Sequence, residues 1–201
     1  MAATLFDDIL LKGVRSGQAP GKTKASREWY RKQAAGVDKA AAKDEALVKE
    51  MKQDRGRTTV KVGNMYMFKY DAKHKDTLPY YDAFPLIFPI NRVTGGFYGI
   101  NMHYLPPALR AKLMDALYST VTNKKYDDTT RMKLSYDVLS SAAKFKMFSP
   151  CIKRYLNSQV QSRFIYVEPS EWDIALFLPS AQFIGASKQK VWADSRKTIK
   201  G

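Results

Sequence analysis

The chain has 201 residues, of which 45% are hydrophobic and 12% aromatic, and its formal net charge at pH 7 is +15. This composition can bury a core, which excludes global disorder, and the length fits one domain with extensions. The positive surplus favours DNA, RNA or an acidic protein surface as partner over a small-molecule substrate, and no stretch approaches the roughly 18 apolar residues of a membrane-spanning helix.

Residues 1–25 are predicted to form a flexible basic arm with a short amphipathic segment, "TLFDDILLKG". Acidic residues interrupt its apolar run, so it does not resemble a signal peptide. The Gly-, Ser- and Lys-rich stretch that follows is typical of a linker. Because little apolar surface is available to offset the entropy of ordering, we expect few long-range contacts before Ser26. Ser26 is a candidate N-cap, and residues 26–56 are predicted to form a helical extension.

From Thr58 to Tyr104 the pattern changes to short strands. "TTVKVGNMYMFKYDA" alternates apolar and polar residues, "PLIFPI" is a short buried strand bounded by prolines, and "FYGINMHYL" follows a Thr-Gly-Gly turn. Proline lacks a backbone N–H, so the prolines of "LPYYDAFP" delimit strands and stiffen a loop, with Tyr81 and Phe84 packed beneath it. We predict a small bent β-sheet or barrel-like module.

The second half is predicted to be mainly helical. "ALRAKLMDALYSTV", "DDTTRMKLSYDVLSSAAKF" and "SPCIKRYLNSQVQSRF" each carry apolar residues at helical spacing. "FIYV" is a predicted strand, a last strand is expected near Ile174 to Leu178, and "SKQKVWADSRKTIKG" is predicted to be a polar basic tail. The fold class is therefore α+β, with residues 57–201 as a single α+β domain in which a packed helical half follows the β-module.

The residues give little support for catalysis. The acids that a metal-dependent nuclease could use are Asp82, Glu168, Glu171 and Asp173. However, the run after Pro169 is typical of a helix N-terminus, and neither His74 nor His103 has metal-ligand spacing. Because no nucleotide-binding, nucleophile-elbow or zinc motif is present, we predict no enzyme, no cofactor and no metal. The single cysteine, Cys151, is expected to be a plain buried thiol of a reducing compartment.

Basic residues concentrate in three parts of the chain, near the N-terminus with Trp29 and Tyr30, after residue 143, and near the C-terminus. Such side chains can neutralise phosphates and provide sequence-independent affinity, and exposed aromatic rings can stack on unpaired bases at a DNA terminus. A solvated surface without a partner is the alternative for each cluster. The predicted DNA-contacting residues are Lys22, Lys24, Arg27, Arg31, Lys32, Lys144, Lys146, Lys153, Arg154, Arg163, Lys188 and Lys190.

Four longer strings carry a family resemblance: "SREWYRKQA", "GNMYMFKYDAKHKDTLPYYDAFPLIFPI", "GGFYGINMHYLPPALRAKLMDAL" and "CIKRYLNSQVQSRFIYVEPSEWDIALFLP". Together they resemble the DNA end protector family of T-even-like contractile-tailed bacteriophages. The resemblance extends from about Ser26 to Lys197, and "MYMFKYD" with "DTLPYYD" and "FPLIFPI" is its most specific part. No catalytic residue is implied by it.

The resemblance implies a virion protein that binds the ends of packaged double-stranded DNA and shields them from a host recombination exonuclease after injection. It also implies a role in completing the filled head before the tail joins, with portal, neck or other virion proteins as partners. The expected locations are the DNA-filled head or neck of the virion, and the host cytoplasm during assembly and after injection. The main alternative is a structural head-completion, neck or baseplate-hub component that contacts acidic virion proteins. A metal-dependent nuclease is the weaker alternative.

Overall fold

The structure, a computed structural model, describes residues 4–19, 23–42, 47, 55–121, 137, 141 and 146–200. The helices are α1 (Leu5–Arg15), α2 (Lys24–Ala35), α3 (Pro107–Val121), α4 (Trp172–Phe177) and α5 (Lys188–Lys200). The strands are β1 (Gly56–Arg57), β2 (Met65–Met67), β3 (Tyr81–Asp82), β4 (Leu86–Val93), β5 (Gly96–Asn101), β6 (Ile152–Leu156), β7 (Phe164–Val167) and β8 (Phe183–Ile184).

Six strands form one antiparallel sheet in the order β1-β7-β2-β4-β5-β6, and β3 pairs with β8 in a separate ribbon. The register places Met65 opposite Val167, and Gly99 opposite Lys153. Within the described residues the sheet has open edges at β1 and β6, so it is not a closed barrel. The α+β class is confirmed, and of the two predicted forms the sheet is correct.

The long hairpin β4–β5 forms where the sequence predicts it. Gly95 has φ +74 in the turn, a left-handed conformation that glycine adopts without steric cost. At Gly96 a Cβ atom would lie 1.9 Å from the carbonyl oxygen of Tyr155, so the close approach of β6 requires glycine there. "PLIFPI" is the buried half of β4. The predicted buried strand and the turn after it are therefore confirmed.

Alternation along the strands gives the sheet two different faces, because successive side chains of a strand point to opposite sides. Met65 and Met67 belong to a large core that includes the buried residues of α1, α2 and α4. Tyr66 and Phe68 belong to a second cluster, rich in aromatic rings, which also contains Phe97, Tyr155 and Phe164. We call the two sides the helical face and the aromatic face.

The expectation of few contacts before Ser26 is wrong for α1. Thr4 caps this helix in a reciprocal capping box with Asp7, and Phe6 and Ile9 are buried in the core of the helical face. Tyr30 of α2 lies so close to α1 that its hydroxyl donates to the carbonyl of Gln18 at 3.0 Å. The amphipathic segment of the arm, which was predicted to be flexible, thus supplies core residues. The domain boundaries after residues 25 and 56 stay predictions.

Three further predictions for the second half are wrong. "SPCIKRYLNSQVQSRF" forms 3-10 turns around strand β6 instead of a helix, because Ile152–Leu156 pairs along β5. The expected strand near Ile174 to Leu178 is helix α4. The C-terminal stretch is helix α5, with Val191 buried in the core. Strand "FIYV" is confirmed as β7, and α3 is confirmed, whereas the helix predicted over residues 127–145 lies largely outside the described residues.

Candidate nucleic-acid interface

A groove of about 660 Å³ crosses the aromatic face of the sheet. Three exposed arginines from separate parts of the chain line it: Arg57 of β1, Arg92 of β4 and Arg163 of the loop before β7. Its other lining residues are polar or apolar, including Phe97 and Phe164, and none is acidic. The antiparallel order of the sheet brings the three arginines together although they are distant in sequence.

Local contacts hold two of these guanidinium groups in place. Arg57 lies over the ring of Tyr166, with its guanidinium carbon 5.8 Å from the ring centroid. Arg92 donates through Nη2 to the carbonyl oxygen of Val60 at 2.6 Å. Guanidinium groups present several donors in a plane, a geometry that suits phosphate oxygens. We call this site the arginine groove.

Only Arg163 of the arginine groove is among the predicted DNA-contacting residues. Sequence clustering missed Arg92, which has no basic residue near it along the chain. It also missed Arg57, which has basic neighbours such as Arg55 and Lys61 but lies outside the three clusters. The available signal was weaker: each lies at or next to the end of its strand, where a loop or turn begins. Convergence of such positions depends on strand order, which the sequence pattern does not specify.

A second depression, of about 370 Å³, lies beside the groove and contains two predicted residues, Lys153 and Arg154. Five tyrosines line it: Tyr70, Tyr80, Tyr81, Tyr104 and Tyr155. The ammonium nitrogen of Lys153 is 4.2 Å from the ring centroid of Tyr104. Burial lowers the pKa of Lys153. Among the described residues, no carboxylate oxygen lies within 4.0 Å of this nitrogen. We call this depression the tyrosine pocket.

The predicted residues of α2 lie on the other side of the sheet. Arg31 is buried and binds two carboxylates, with Nε 2.6 Å from Asp173 and Nη2 2.8 Å from Asp115. Arg27 also contacts Asp115, at 3.3 Å. These two arginines join α2 to α3 and α4. Their charges are balanced by carboxylates of the protein, so a DNA phosphate is not needed to explain them. Lys24 and Lys32 are exposed on the same helix, and Lys24 lies 3.9 Å from Glu28.

The remaining predicted residues do not join the groove. Lys190 forms an ion pair with Asp194 one turn further along α5, at 2.8 Å. Lys188 is half-buried at the start of α5, where burial lowers its pKa. Lys22 and Lys144, and the side chain of Lys146, lie outside the described part of the structure. The predicted set is thus spread over several surfaces.

Asp82, His103 and Ser180 form a buried chain of hydrogen bonds in the order found in serine hydrolases. Nδ1–H of His103 donates to Asp82 Oδ2 at 2.7 Å, and its Nε2 accepts from the Ser180 hydroxyl at 3.3 Å. Burial lowers the pKa of His103, so the ring is neutral. The three residues are 3%, 0% and 1% exposed, and Asp82 Oδ1 accepts the backbone N–H groups of Phe84 and Gln182. A nucleophile must reach its substrate, so this arrangement indicates a structural connection between loops.

Three of the four acids of the nuclease alternative have separate partners, and the fourth, Glu168, is exposed. Glu171 is buried and pairs with Arg55, although burial raises the pKa of its carboxyl. Asp173 pairs with Arg31, and Asp82 with His103. In the described ranges, no three His, Cys, Asp or Glu side chains come close enough together to hold a metal ion. No described helix is long and apolar enough to cross a membrane.

The prediction that Cys151 is a buried thiol is confirmed, and the thiol donates to the carbonyl oxygen of Phe148. The reducing compartment stays a prediction. Burial raises the pKa of this thiol to about 12. The thiolate, which is the nucleophilic form, is therefore scarce at neutral pH.

Comparison with known proteins gives one match. A family model described as the phage T4 terminal DNA protecting protein matches residues 21–198 of the 201-residue chain. The match covers α2 and both depressions, and it begins after α1. No curated protein and no solved structure matches the chain.

Proposed function

The chain belongs to the phage T4 terminal DNA protecting protein family, and from this premise we propose that it binds the ends of double-stranded DNA through the arginine groove. The observation that carries the assignment is the convergence of Arg57, Arg92 and Arg163 on a groove without acidic lining. Phosphate contacts position a protein on DNA without reading its sequence. Such contacts suit a protein that must occupy any terminus.

Protection in this proposal results from occupancy. An exonuclease must engage the terminal nucleotides, and a protein bound there blocks it sterically. The chain needs no chemical step of its own for this, which agrees with the burial of the Asp82–His103–Ser180 connection. We assign no catalytic residue.

The biological setting is proposed from family membership. The DNA is the packaged genome, the enzyme that is excluded is a host exonuclease after injection, and the protein lies in the filled head or neck of the virion. A further role in completing the head before tail joining would bring it against portal or neck proteins. The net charge of +15 supports an association with DNA or with acidic protein surfaces in each of these settings.

The proposed role of the groove is tested by the salt dependence of DNA binding. Each phosphate contact on B-DNA adds about 0.9 to the slope of log K against log salt. We expect the double variant Arg92→Gln/Arg163→Gln to lower the slope by about 2 in a titration with a short linear duplex. The matched control is Arg15→Gln, which removes an exposed arginine from α1 on the helical face.

A groove variant that keeps the wild-type slope would contradict the proposal. Stoichiometric assembly with acidic virion proteins, without DNA binding, would instead support the structural alternative.

A further inference from the structure

The tyrosine pocket carries an inference that rests on the proposed function and extends it. Phosphates occur all along a duplex, so the arginine groove alone does not distinguish an end from the interior. A terminus differs in having a base that is stacked on one side only and that unpairs at low cost. A protein that prefers ends needs a surface for that base.

The composition of the pocket fits one nucleotide. Tyr80 and Tyr81 are half-buried, and Leu78, 44% exposed, also lines the pocket. Aromatic rings accept any base, because every base has a π-face. A volume of about 370 Å³ has room for a single base with its sugar, but not for a base pair within a helix.

Lys153 supplies the matching charge. Its ammonium group is half-buried over Tyr104, without a carboxylate within 4.0 Å among the described residues. A cation in such a place loses hydration without gaining a counter-ion. Lys73 and His74 also line the pocket. A phosphate would supply the negative charge that Lys153 lacks.

The acid in this pocket does not oppose a phosphate strongly. Asp82 is 3% exposed, and its Oδ2 is within hydrogen-bond distance of the Asn101 amide and His103. Its Oδ1 accepts two backbone N–H groups. The carboxylate is therefore turned inward and solvated by the protein.

The pocket and the arginine groove share buried residues of the aromatic face, and the pocket is also lined by Tyr80 and Tyr104 from the cluster of the helical face. Tyr155 of the pocket stacks on Phe97 of the groove, with ring centroids 5.4 Å apart. Tyr70 of the pocket forms a β-bridge with Val160 of the groove. Because the groove and the pocket share these residues, a DNA strand whose phosphates lie in the groove can place its terminal nucleotide in the pocket.

We propose that the tyrosine pocket binds the unpaired terminal nucleotide of a DNA strand whose adjoining phosphates lie in the arginine groove. The base stacks against Tyr80 or Tyr81, and its phosphate contacts Lys153. This terminal nucleotide gives the protein its preference for ends, and the contact is independent of base identity.

Binding to open and closed DNA tests the proposal. We compare a linear duplex carrying a one-nucleotide overhang with a covalently closed circle of the same sequence. The wild-type protein is expected to bind the open form about tenfold more tightly, since base stacking of this kind has about that effect. Lys153→Met and Tyr81→Leu are expected to lose most of this preference and to keep their affinity for the circle. The matched controls are Lys112→Met and Tyr98→Leu, exposed residues that line neither depression.

A second measurement uses the wild-type protein, so it does not depend on the folding of the variants. Photo-crosslinking with 5-iododeoxyuridine in the overhang is expected to label Tyr80 or Tyr81, whereas the same base inside the duplex should not. Crosslinks on another surface would overturn the proposal. The proposal would also be overturned if a free deoxynucleoside monophosphate competed at the same concentration as a DNA end. That result would indicate a pocket for free nucleotides.

The outcomes separate this inference from the proposed function. If Lys153→Met and Tyr81→Leu keep the wild-type preference for open DNA, the pocket proposal fails and end binding stands. If the wild-type protein binds open and closed DNA equally, or binds neither form, the proposed function itself fails.

Discussion

At the scale of single residues, the structure separates side chains that stabilise the fold from those available to a ligand. Phe84 and Arg31 both stood out in the sequence, one in an aromatic Pro-rich loop and one in a basic cluster. Both are buried. Position along the chain predicted the chemistry of each residue, but not which side of the sheet it occupies.

Phe84→Ala is expected to lower the free energy of unfolding by about 3–5 kcal/mol, because a fully buried aromatic ring is removed from the core. Chemical denaturation measures this loss. Leu78→Ala in the same loop is the control, and a change within about 0.5 kcal/mol is expected because Leu78 is 44% exposed. A stable Phe84→Ala protein that no longer protects DNA ends would instead identify Phe84 itself as part of the contact surface.

Arg31→Gln is expected to destabilise the protein by about 3–5 kcal/mol, because it removes a buried guanidinium that pairs with both Asp173 and Asp115. The salt slope of DNA binding should not change once the folded fraction is taken into account. Lys32→Gln, next to it and exposed, should leave the stability unchanged. A reduced salt slope in a folded Arg31→Gln protein would instead support the prediction that Arg31 contacts DNA.

Stability should decrease on acidification through His103. Burial lowers its folded-state pKa below the ordinary value of 6.5, so the unfolded chain binds more protons than the native state. The contribution of His103 to the free energy of unfolding is fully present above about pH 6.5, and it is lost as the pH falls toward the lowered pKa. Denaturation at several pH values between about 6.5 and 5 should show this decrease.

The pH dependence has an internal control, because the chain has only two histidines. His103→Gln should flatten the profile, and His74→Gln, which replaces an exposed histidine, is the matched control. The raised pKa of Glu171 has the opposite effect, because it favours the folded state at lower pH. This effect is the same in the wild type and in both variants, so it cancels in the comparison. If the stability of His103→Gln depended on pH as that of the wild type does, His103 would not be the group that causes the decrease.

At the scale of elements, α1 and β6 show how tertiary contacts decide between readings of a local pattern. The segment of α1 was correctly predicted to be amphipathic, but its partner, Tyr30 of α2, was not evident from the sequence. The segment of β6 has apolar residues at helical spacing, yet it pairs with β5, where Gly96 allows the backbone of Tyr155 to approach closely. Strand propensity depends on such neighbours more than helix propensity does.

Gly13→Ala tests the docking of α1 on α2. A Cβ atom at this position would lie 1.9 Å from the hydroxyl oxygen of Tyr30, so the ring must move and lose its bond to Gln18. We expect a loss of about 1–3 kcal/mol in the free energy of unfolding. Gly36→Ala is the control, since its Cβ would meet only ordinary contacts at 3.5 Å. Equal stability of both variants would mean that α1 does not dock as described.

At the scale of the whole molecule, the sequence predicted the fold class, the β4–β5 hairpin and the family. It did not predict the arginine groove, because Arg57, Arg92 and Arg163 converge only through the strand order of the sheet. The linear clusters were a poor guide, since Arg27, Arg31 and Lys190 pair with carboxylates. Charge along the chain indicates the kind of partner, whereas the topology decides where that partner binds.

Exonuclease protection of linear duplex DNA tests the central claim most directly. The protein is titrated onto a linear duplex at a series of salt concentrations, a processive exonuclease is added, and the surviving full-length DNA is measured, with a covalently closed circle as competitor. We expect protection that declines steeply with salt, and a circle that competes only weakly. Degradation of DNA to which the protein is bound, or competition by the circle equal to that of linear DNA, would contradict the account.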